Sequence, residues 1–492
     1  MSVNRILFAS PEVHPVIKTG GLADVSGSLP VALKNLRREL RVIMPAYREA
    51  MKNCRKAETV ATLDVPGVPE PIQILQSRLP GTSVTLWLVD APSLFDRPGN
   101  PYLGPDGRDW PDNASRFTAF ARVIASIAMN RAGLDWQPDL VHCNDWQTGL
   151  VPALLSLETT PPATVFTIHN LAYQGLFSRS MFEALRLPEA LWSADGLEFY
   201  GRFSFIKGGI VYADHVNTVS PMYAREICTE EFGYGLQGLL QHIGDRLSGI
   251  LNGADYQHWN PARDPYLRRN YNAHRMQNKM LNKADLQRSF KLPVDESIPV
   301  IGMIGRLVEQ KGFDLVLKAL PELENESAQF VILGSGEREL EDGLREARDR
   351  LPDQIGAEIG YDESLAHQIE GGADMFLMPS RFEPCGLNQI YSLRYGTIPI
   401  VHGTGGLANT VVDANETTLG KGVATGIIFN EPSVQALTTA LHRCLTLYRQ
   451  PRIWKKIVFR AMQQDFSWRR SARQYLDLYQ KAINHVNLTN QV

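Results

Sequence analysis

Short apolar runs alternate with longer amphipathic segments along this chain, and the alternation starts afresh near residue 299. Strand-like runs cover 5–9, 41–45, 84–89, 140–143, 163–168 and 215–218, with helical patterns at 113–131 and 147–157. The second series places strands at 299–304, 329–333, 355–360, 374–378 and 398–402, separated by helices at 313–320, 336–348, 387–395 and 433–447. Strands alternating with helices build βαβ units and a parallel sheet. Two rounds of that pattern predict an α/β protein with two Rossmann-like, doubly wound domains. The length of 492 residues also exceeds one ordinary domain. The stretch 244–263, with Asn252-Gly-Ala-Asp and Trp259-Asn-Pro, is dense in turn formers and reads as the inter-domain connection. The expected domains are 1–247 and 248–465. A final amphipathic helix lies within 466–492, carrying Trp468, Tyr475, Leu476, Leu478 and Tyr479. It packs on its own domain or crosses back to the first.

Composition narrows the function classes. The net charge of −3 gives no global basic field, which argues against nucleic acid as a partner. Five cysteines (54, 143, 228, 385 and 444), with no CxxC pair, fit a reducing cytosol better than a disulfide framework. The first ten residues hold one arginine and an apolar run too short for a signal peptide, and they read as a first strand. No stretch reaches the length of a membrane span, so the expected location is the cytoplasm, away from any membrane.

The polar motifs fall where the strands end, and in parallel sheets that is where ligands bind. Gly305-Arg-Leu-Val-Glu-Gln-Lys-Gly follows one strand and Arg381-Phe-Glu-Pro-Cys-Gly-Leu another. Arg306 and Lys311 suit a phosphate that gains charge as a bond breaks, and Glu383 suits sugar hydroxyls; the plain alternative for the cations is a solvated surface. Pro384 fixes a turn, Gly386 allows close backbone approach, and a helix starting near Leu387 aims N–H groups at the same space. Cys385 reads as a packing residue, since no general base adjoins it.

In the first half, Lys18-Thr-Gly-Gly-Leu offers backbone N–H groups at Gly20 and Gly21 to an anion, or is a plain strand-to-helix turn. The same Thr-Gly-Gly-Leu-Ala returns at Thr404, either by coincidence or as a second loop serving one cleft. Asp145 either orients a sugar hydroxyl or caps the helix at 147–157, and Trp146 either stacks on a pyranose or fills the core. His169, in Thr167-Ile-His-Asn, is either a structural imidazole or, as its strand-end position favours, meets the reacting carbon through its backbone carbonyl or ring. No His, Asp or Glu grouping has metal-ligand spacing, so no metal is expected.

Taken together, these motifs resemble the bacterial and plastid starch/glycogen synthases, retaining glucosyltransferases that extend α-1,4-glucan. The similarity runs in order from Lys18-Thr-Gly-Gly-Leu through His142-x-Asn-Asp-Trp, Thr167-Ile-His-Asn, Ser220-Pro and Asn252-Gly to Thr404-Gly-Gly-Leu. It implies the GT-B architecture, two Rossmann-like domains around a deep cleft with a C-terminal helix crossing back. It also implies ADP-glucose as donor, a glycogen or other α-1,4-glucan acceptor, and no cofactor or metal. By motif, Lys18, Gly20 and Gly21 face the donor phosphates, and Arg306 and Lys311 grip the diphosphate. Glu383 holds glucose hydroxyls, with Cys385, Gly386 and Leu387 closing the sugar pocket. His169 lies beside the anomeric carbon, Asp145, Asn170 and Asn252 line the same site, and Tyr361 stacks on adenine. Two positions depart from the pattern: Asn388 stands where the family usually has Thr, and Asn409 where an acidic residue is common. The rival readings are a UDP-glucose-using transferase and a non-catalytic glucan-binding protein of the same fold.

Overall fold

Strands buried on both faces organise this protein. The computed structural model describes residues 3–54, 56–324 and 326–489; positions 1, 2 and 490–492, at the outer ends of the expected domains, lie outside them. The chain divides into two units, one formed by Met1–Gly253 with Trp468–Val492 and the other by Ala254–Ser467.

The first unit is built on β1 (Arg5–Ala9), β2 (Glu39–Pro45), β3 (Glu58–Leu63), β4 (Ile72–Arg78), β5 (Thr85–Asp90), β6 (Leu140–Asn144) and β7 (Ala163–Ile168). A small separate sheet follows, from β8 (Leu176–Ser178), β9 (Glu198–Phe199) and β10 (Arg202–Ser204). β11 (His215–Thr218) and β12 (Leu247–Gly249) then return to the main sheet. The main sheet runs β12-β11-β7-β6-β1-β2-β5-β4-β3. It is parallel from β12 to β5 and turns antiparallel only at β4 and β3. β6 and β7 are buried at every residue, as a sheet sandwiched by helices requires. Strand order reverses about β1, which pairs with β2 on one side and β6 on the other. The crevice beyond the ends of β1 and β6 is therefore the topological switch point.

The second unit carries β13 (Val300–Ile304), β14 (Gln329–Gly334), β15 (Ile355–Ile359), β16 (Met375–Met378), β17 (Ile398–His402) and β18 (Ile427–Phe429). Their order is β15-β14-β13-β16-β17-β18, all parallel. Here the reversal falls between β13 and β16, so the loops after those two strands frame the second switch point.

The boundary expected after residue 247 falls instead after Gly253. β12 hydrogen-bonds in parallel to β11 and so belongs to the first sheet. The return falls after Ser467, and the Trp468–Thr489 helix packs on the Gly21–Asn35 helix and on β7 and β11. Polar bonds seat it: Tyr479 Oη lies 2.7 Å from His142 Nδ1, and Asn217 Nδ2 donates to Tyr475 Oη at 3.1 Å. The single helix expected at 147–157 is a 3₁₀ turn, Trp146–Thr148, followed by a helix at Leu150–Leu155.

Candidate active site

The loops leaving β13 and β16 bring the second unit's polar residues together. Lys311 Nζ lies 2.5 Å from Glu383 Oε2, and Ser380 Oγ donates to the same oxygen at 3.2 Å. Glu383 is only 7% exposed, so its carboxylate is buried with a cation and a hydroxyl as compensation. Around this pair the two loops are laced by backbone and side-chain bonds. Arg381 N–H donates to Gln310 O at 2.8 Å, and Gln310 Nε2 donates to Phe382 O at 3.1 Å. The Arg381 guanidinium grips Asp314 with two bonds of 2.8 and 2.9 Å. That fork holds the Asp314 carboxyl below its ordinary range. Arg306, by contrast, is exposed and has no ion pair or side-chain hydrogen bond among the described residues. Lys311 thus spends one of its three N–H donors on the fold's own carboxylate, and Arg306 is available to an anion.

The remaining residues of this loop divide in role. Gly386 has φ +72°, and a Cβ there would lie 2.5 Å from Gln389 Oε1, so the turn itself demands glycine. Cys385 is buried, and its carbonyl accepts from Gln389 Nε2 at 2.9 Å. Leu387 packs, partly buried, against Ala254, Ile390 and Tyr391. Asn388 opens the Asn388–Tyr395 helix, and its Nδ2 donates to Ile304 O at 3.0 Å. This bond ties the helix start to the end of β13. Tyr361 follows β15 and is 77% exposed.

In the first unit, Asp145 and His169 end adjacent strands β6 and β7. The Asp145 side chain does not cap the following turn. It crosses to β7, where Oδ1 accepts the His169 backbone N–H at 2.7 Å. Its backbone sits at φ 56°, ψ 177°, a region that side-chain-bearing residues rarely occupy. Burial pushes the Asp145 carboxyl up to about 7, against the pull of the His169 and Asn170 N–H groups, with Glu12's charge adding to the rise. The His169 ring is fixed from the other side. Asn144 Nδ2 donates to Ala9 O at 3.0 Å, so its Oδ1 accepts from His169 Nε2 at 3.0 Å. Nδ1 then carries the lone pair. Burial lowers the His169 pKa to about 3, so the ring is neutral at physiological pH and takes a hydrogen bond without adding charge.

Glu12, two residues past Ser10 at the end of β1, escaped the motif reading. Its Oε2 accepts from Thr19 N at 2.5 Å and Thr19 Oγ1 at 2.7 Å, anchoring the Gly-Gly loop. Burial raises its carboxyl to about 7 despite those bonds. Its position after the first strand, at the switch point, is the signal that could have found it. Beyond Thr19 the loop opens: a Cβ at Gly20 or Gly21 would meet nothing within 4 Å. Lys18 pairs with Asp24 at 2.8 Å and is held at the helix start. Asn170 Oδ1 accepts from Ala172 N at 3.1 Å, closing its own turn. Asn252 is buried, and its Oδ1 has no hydrogen-bond partner among the described residues. A buried acceptor left unpaired is uncommon and marks a place for a donor from outside the chain. Trp146 is set among Phe117, Phe177 and Phe205, with ring centroids 5.0–6.1 Å away, so it fills the core and does not serve as a stacking platform.

Residues 5–242 match the model described as starch synthase catalytic domain, and 286–459 match glycosyl transferases group 1. The glycogen synthase of Thioalkalivibrio sulfidiphilus is 58% identical over 98% of this chain and 100% of its own. Glycogen synthase 2 of Nitrosococcus oceani is 54% identical, over 98% of each chain. Among solved structures, the catalytic domain of starch synthase IV from Arabidopsis thaliana, bound to ADP and acarbose, aligns with a TM-score of 0.87 at 32% identity. That alignment covers 98% of this chain and 100% of the other.

Proposed function

This chain belongs to the glycogen synthase and starch synthase family of GT-B glucosyltransferases, and on that premise we propose that it moves glucose from ADP-glucose to the non-reducing end of an α-1,4-glucan with retention of configuration. The observation that carries the reading is the Lys311–Glu383 pair at the second switch point, beside an Arg306 whose side chain has no partner among the described residues. The ADP bound to the Arabidopsis neighbour supports the choice of nucleotide.

In the proposed reaction the bond from glucose C1 to the diphosphate oxygen breaks, and negative charge grows on the leaving phosphate. Arg306 and Lys311 stabilise that charge, each preorganised donor contributing roughly 3–4 kcal/mol. Glu383 is ion-paired and bound to Ser380, a setting for accepting sugar hydroxyls and for stabilising an oxocarbenium-like centre. The acceptor's 4-hydroxyl attacks from the face that the diphosphate leaves, and its proton passes to the departing phosphate. His169, neutral with its Nδ1 lone pair open, is assigned to a hydroxyl of the sugar. Glu12, buried, and Asp145, partly buried, are acids suited to glucan hydroxyls. The scheme draws its positive charge from side chains and assigns no cofactor. No helix among the described residues is long and apolar enough to cross a membrane. Five cysteines, none in a disulfide among the described residues, fit the cytoplasm as the working compartment.

Transfer of radiolabelled glucose from ADP-glucose and from UDP-glucose onto glycogen, with linkage analysis, tests the proposal. The expected product is α-1,4-linked, formed far faster from ADP-glucose. Preference for UDP-glucose would replace the donor assignment, and no transfer from either would leave a glucan-binding protein.

A further inference from the structure

The chain enters the second unit through a turn that meets the Glu363–Gly372 helix, and metal-ligating side chains gather there. One ligand atom from each of His258, Glu363 and His367 lies within 4.8 Å of the other two. His258 Nε2 and Glu363 Oε1 are already 2.8 Å apart. Glu363 and His367 stand four positions apart on one helix, which puts both on the same face.

His367 is the decisive member. It is fully buried, and its Nδ1 lies 2.7 Å from Asp264 Oδ2. Asp264 also accepts from the Tyr395 hydroxyl and, at 2.9 Å, from Tyr266 N–H. Asp264 is therefore an acceptor, Nδ1 of His367 carries the proton, and Nε2 keeps a lone pair. That Nε2 is buried with no hydrogen-bond partner among the described residues. Trp259 stacks flat on the ring at 3.7 Å and 9°, and Tyr391 stacks on Trp259 at 4.2 Å and 5°. The stack fixes the ring plane. An imidazole whose N–H is held by a carboxylate, with its other nitrogen open, is the arrangement metal-bound histidines adopt.

We propose that His258, Glu363 and His367 bind a divalent cation of the zinc class, clamping the 254–263 turn to the Glu363–Gly372 helix. Two imidazoles and one carboxylate suit a borderline ion of that kind. With ligand bonds of about 2.0–2.1 Å, a tetrahedral ion sets its ligand atoms roughly 3.3 Å apart. His258 and Glu363 side chains are each 46% exposed and can swing to close that distance, while His367 stays where Asp264 and Trp259 hold it. None of the three belongs to the loops that carry Lys311 and Glu383, so the site is structural and independent of the transfer reaction. The sequence hid it because His258 and Glu363 lie 105 positions apart.

Chelator-stripped full-length protein is titrated with zinc against a coloured competitor, beside His258→Ala and Glu363→Gln. Both substitutions are at exposed positions, and circular dichroism checks that each variant is folded. The expected result is one equivalent bound per chain, weakened at least about tenfold in either variant, with zinc raising the melting temperature of the unaltered protein only. Binding of equal affinity in both variants, or no bound equivalent in the unaltered protein, overturns the proposal; either outcome leaves the glucosyltransferase reading intact.

Discussion

The segment Thr-Gly-Gly-Leu-Ala occurs twice, at residues 19–23 and 404–408, and the two copies serve different ends. Both open a helix. In the second copy the fold itself demands the glycines. Gly405 has φ +47°, and a Cβ there would lie 2.0 Å from Glu383 O; one at Gly406 would lie 2.0 Å from Cys385 O. Gly406 N–H also donates to Glu383 O at 3.1 Å, so this copy is a backing plate that sets the height of the Glu383 turn. The first copy has no such neighbour. Thr19 is anchored on Glu12, while Gly20 and Gly21 border open space. Nothing inside its unit requires them to lack side chains, and a ligand approaching the backbone is the reason proposed for them. The same motif is thus held by packing in one place and left open in the other.

The largest effect should come from Gly406→Ala. The clash is with backbone, so the Glu383 turn must move. Stability should fall at the upper end of the roughly 1–3 kcal/mol expected of overpacking, measured by urea unfolding, and transfer should fall with it. An unaltered unfolding midpoint would break the comparison. Gly21→Ala should show the reverse pattern. Alanine favours a helix start, so stability should hold or rise by up to about 1 kcal/mol. Glucose transfer should drop by up to about 100-fold through displacement of the bound donor. Full activity in that variant would mean the first copy, too, answers only to the fold. The smallest effect concerns the neighbouring Asp145. Its folded pKa is raised to about 7 from an ordinary value near 4. Its contribution to stability is complete below about pH 4 and is lost as pH rises through 7. Asp145→Asn should make the decline in melting temperature between pH 4 and 7 shallower, and an unchanged slope would contradict the buried-acid assignment.

Much of this was legible because parallel sheets write themselves as buried apolar runs. β1, β7, β11 and β17 occupy the ranges that periodicity gives them, and the polar motifs at their ends are contiguous in sequence. What escaped notice lacked either length or proximity. The β3–β4 hairpin lies at a half-exposed edge, where β3 shows no clean alternation, and β8 to β10 are two or three residues each, too short to carry a period. Glu12 and the Lys311–Glu383 bond depend on chain reversals that spacing does not encode; the latter spans 72 positions. Asp145 was open between capping and ligand binding because both uses call for a carboxylate after a strand. Only the positive φ and the reach to His169 set the capping use aside.

The central claim is that the second switch point holds a departing diphosphate, and Arg306 offers its cleanest test. Its side chain is exposed and has no partner among the described residues, so the fold does not depend on it. Steady-state transfer from ADP-glucose by Arg306→Ala, with the melting temperature recorded beside it, separates chemistry from stability. The account predicts an unchanged melting temperature and turnover lower by about 10²–10³-fold. Turnover close to that of the unaltered protein would contradict it.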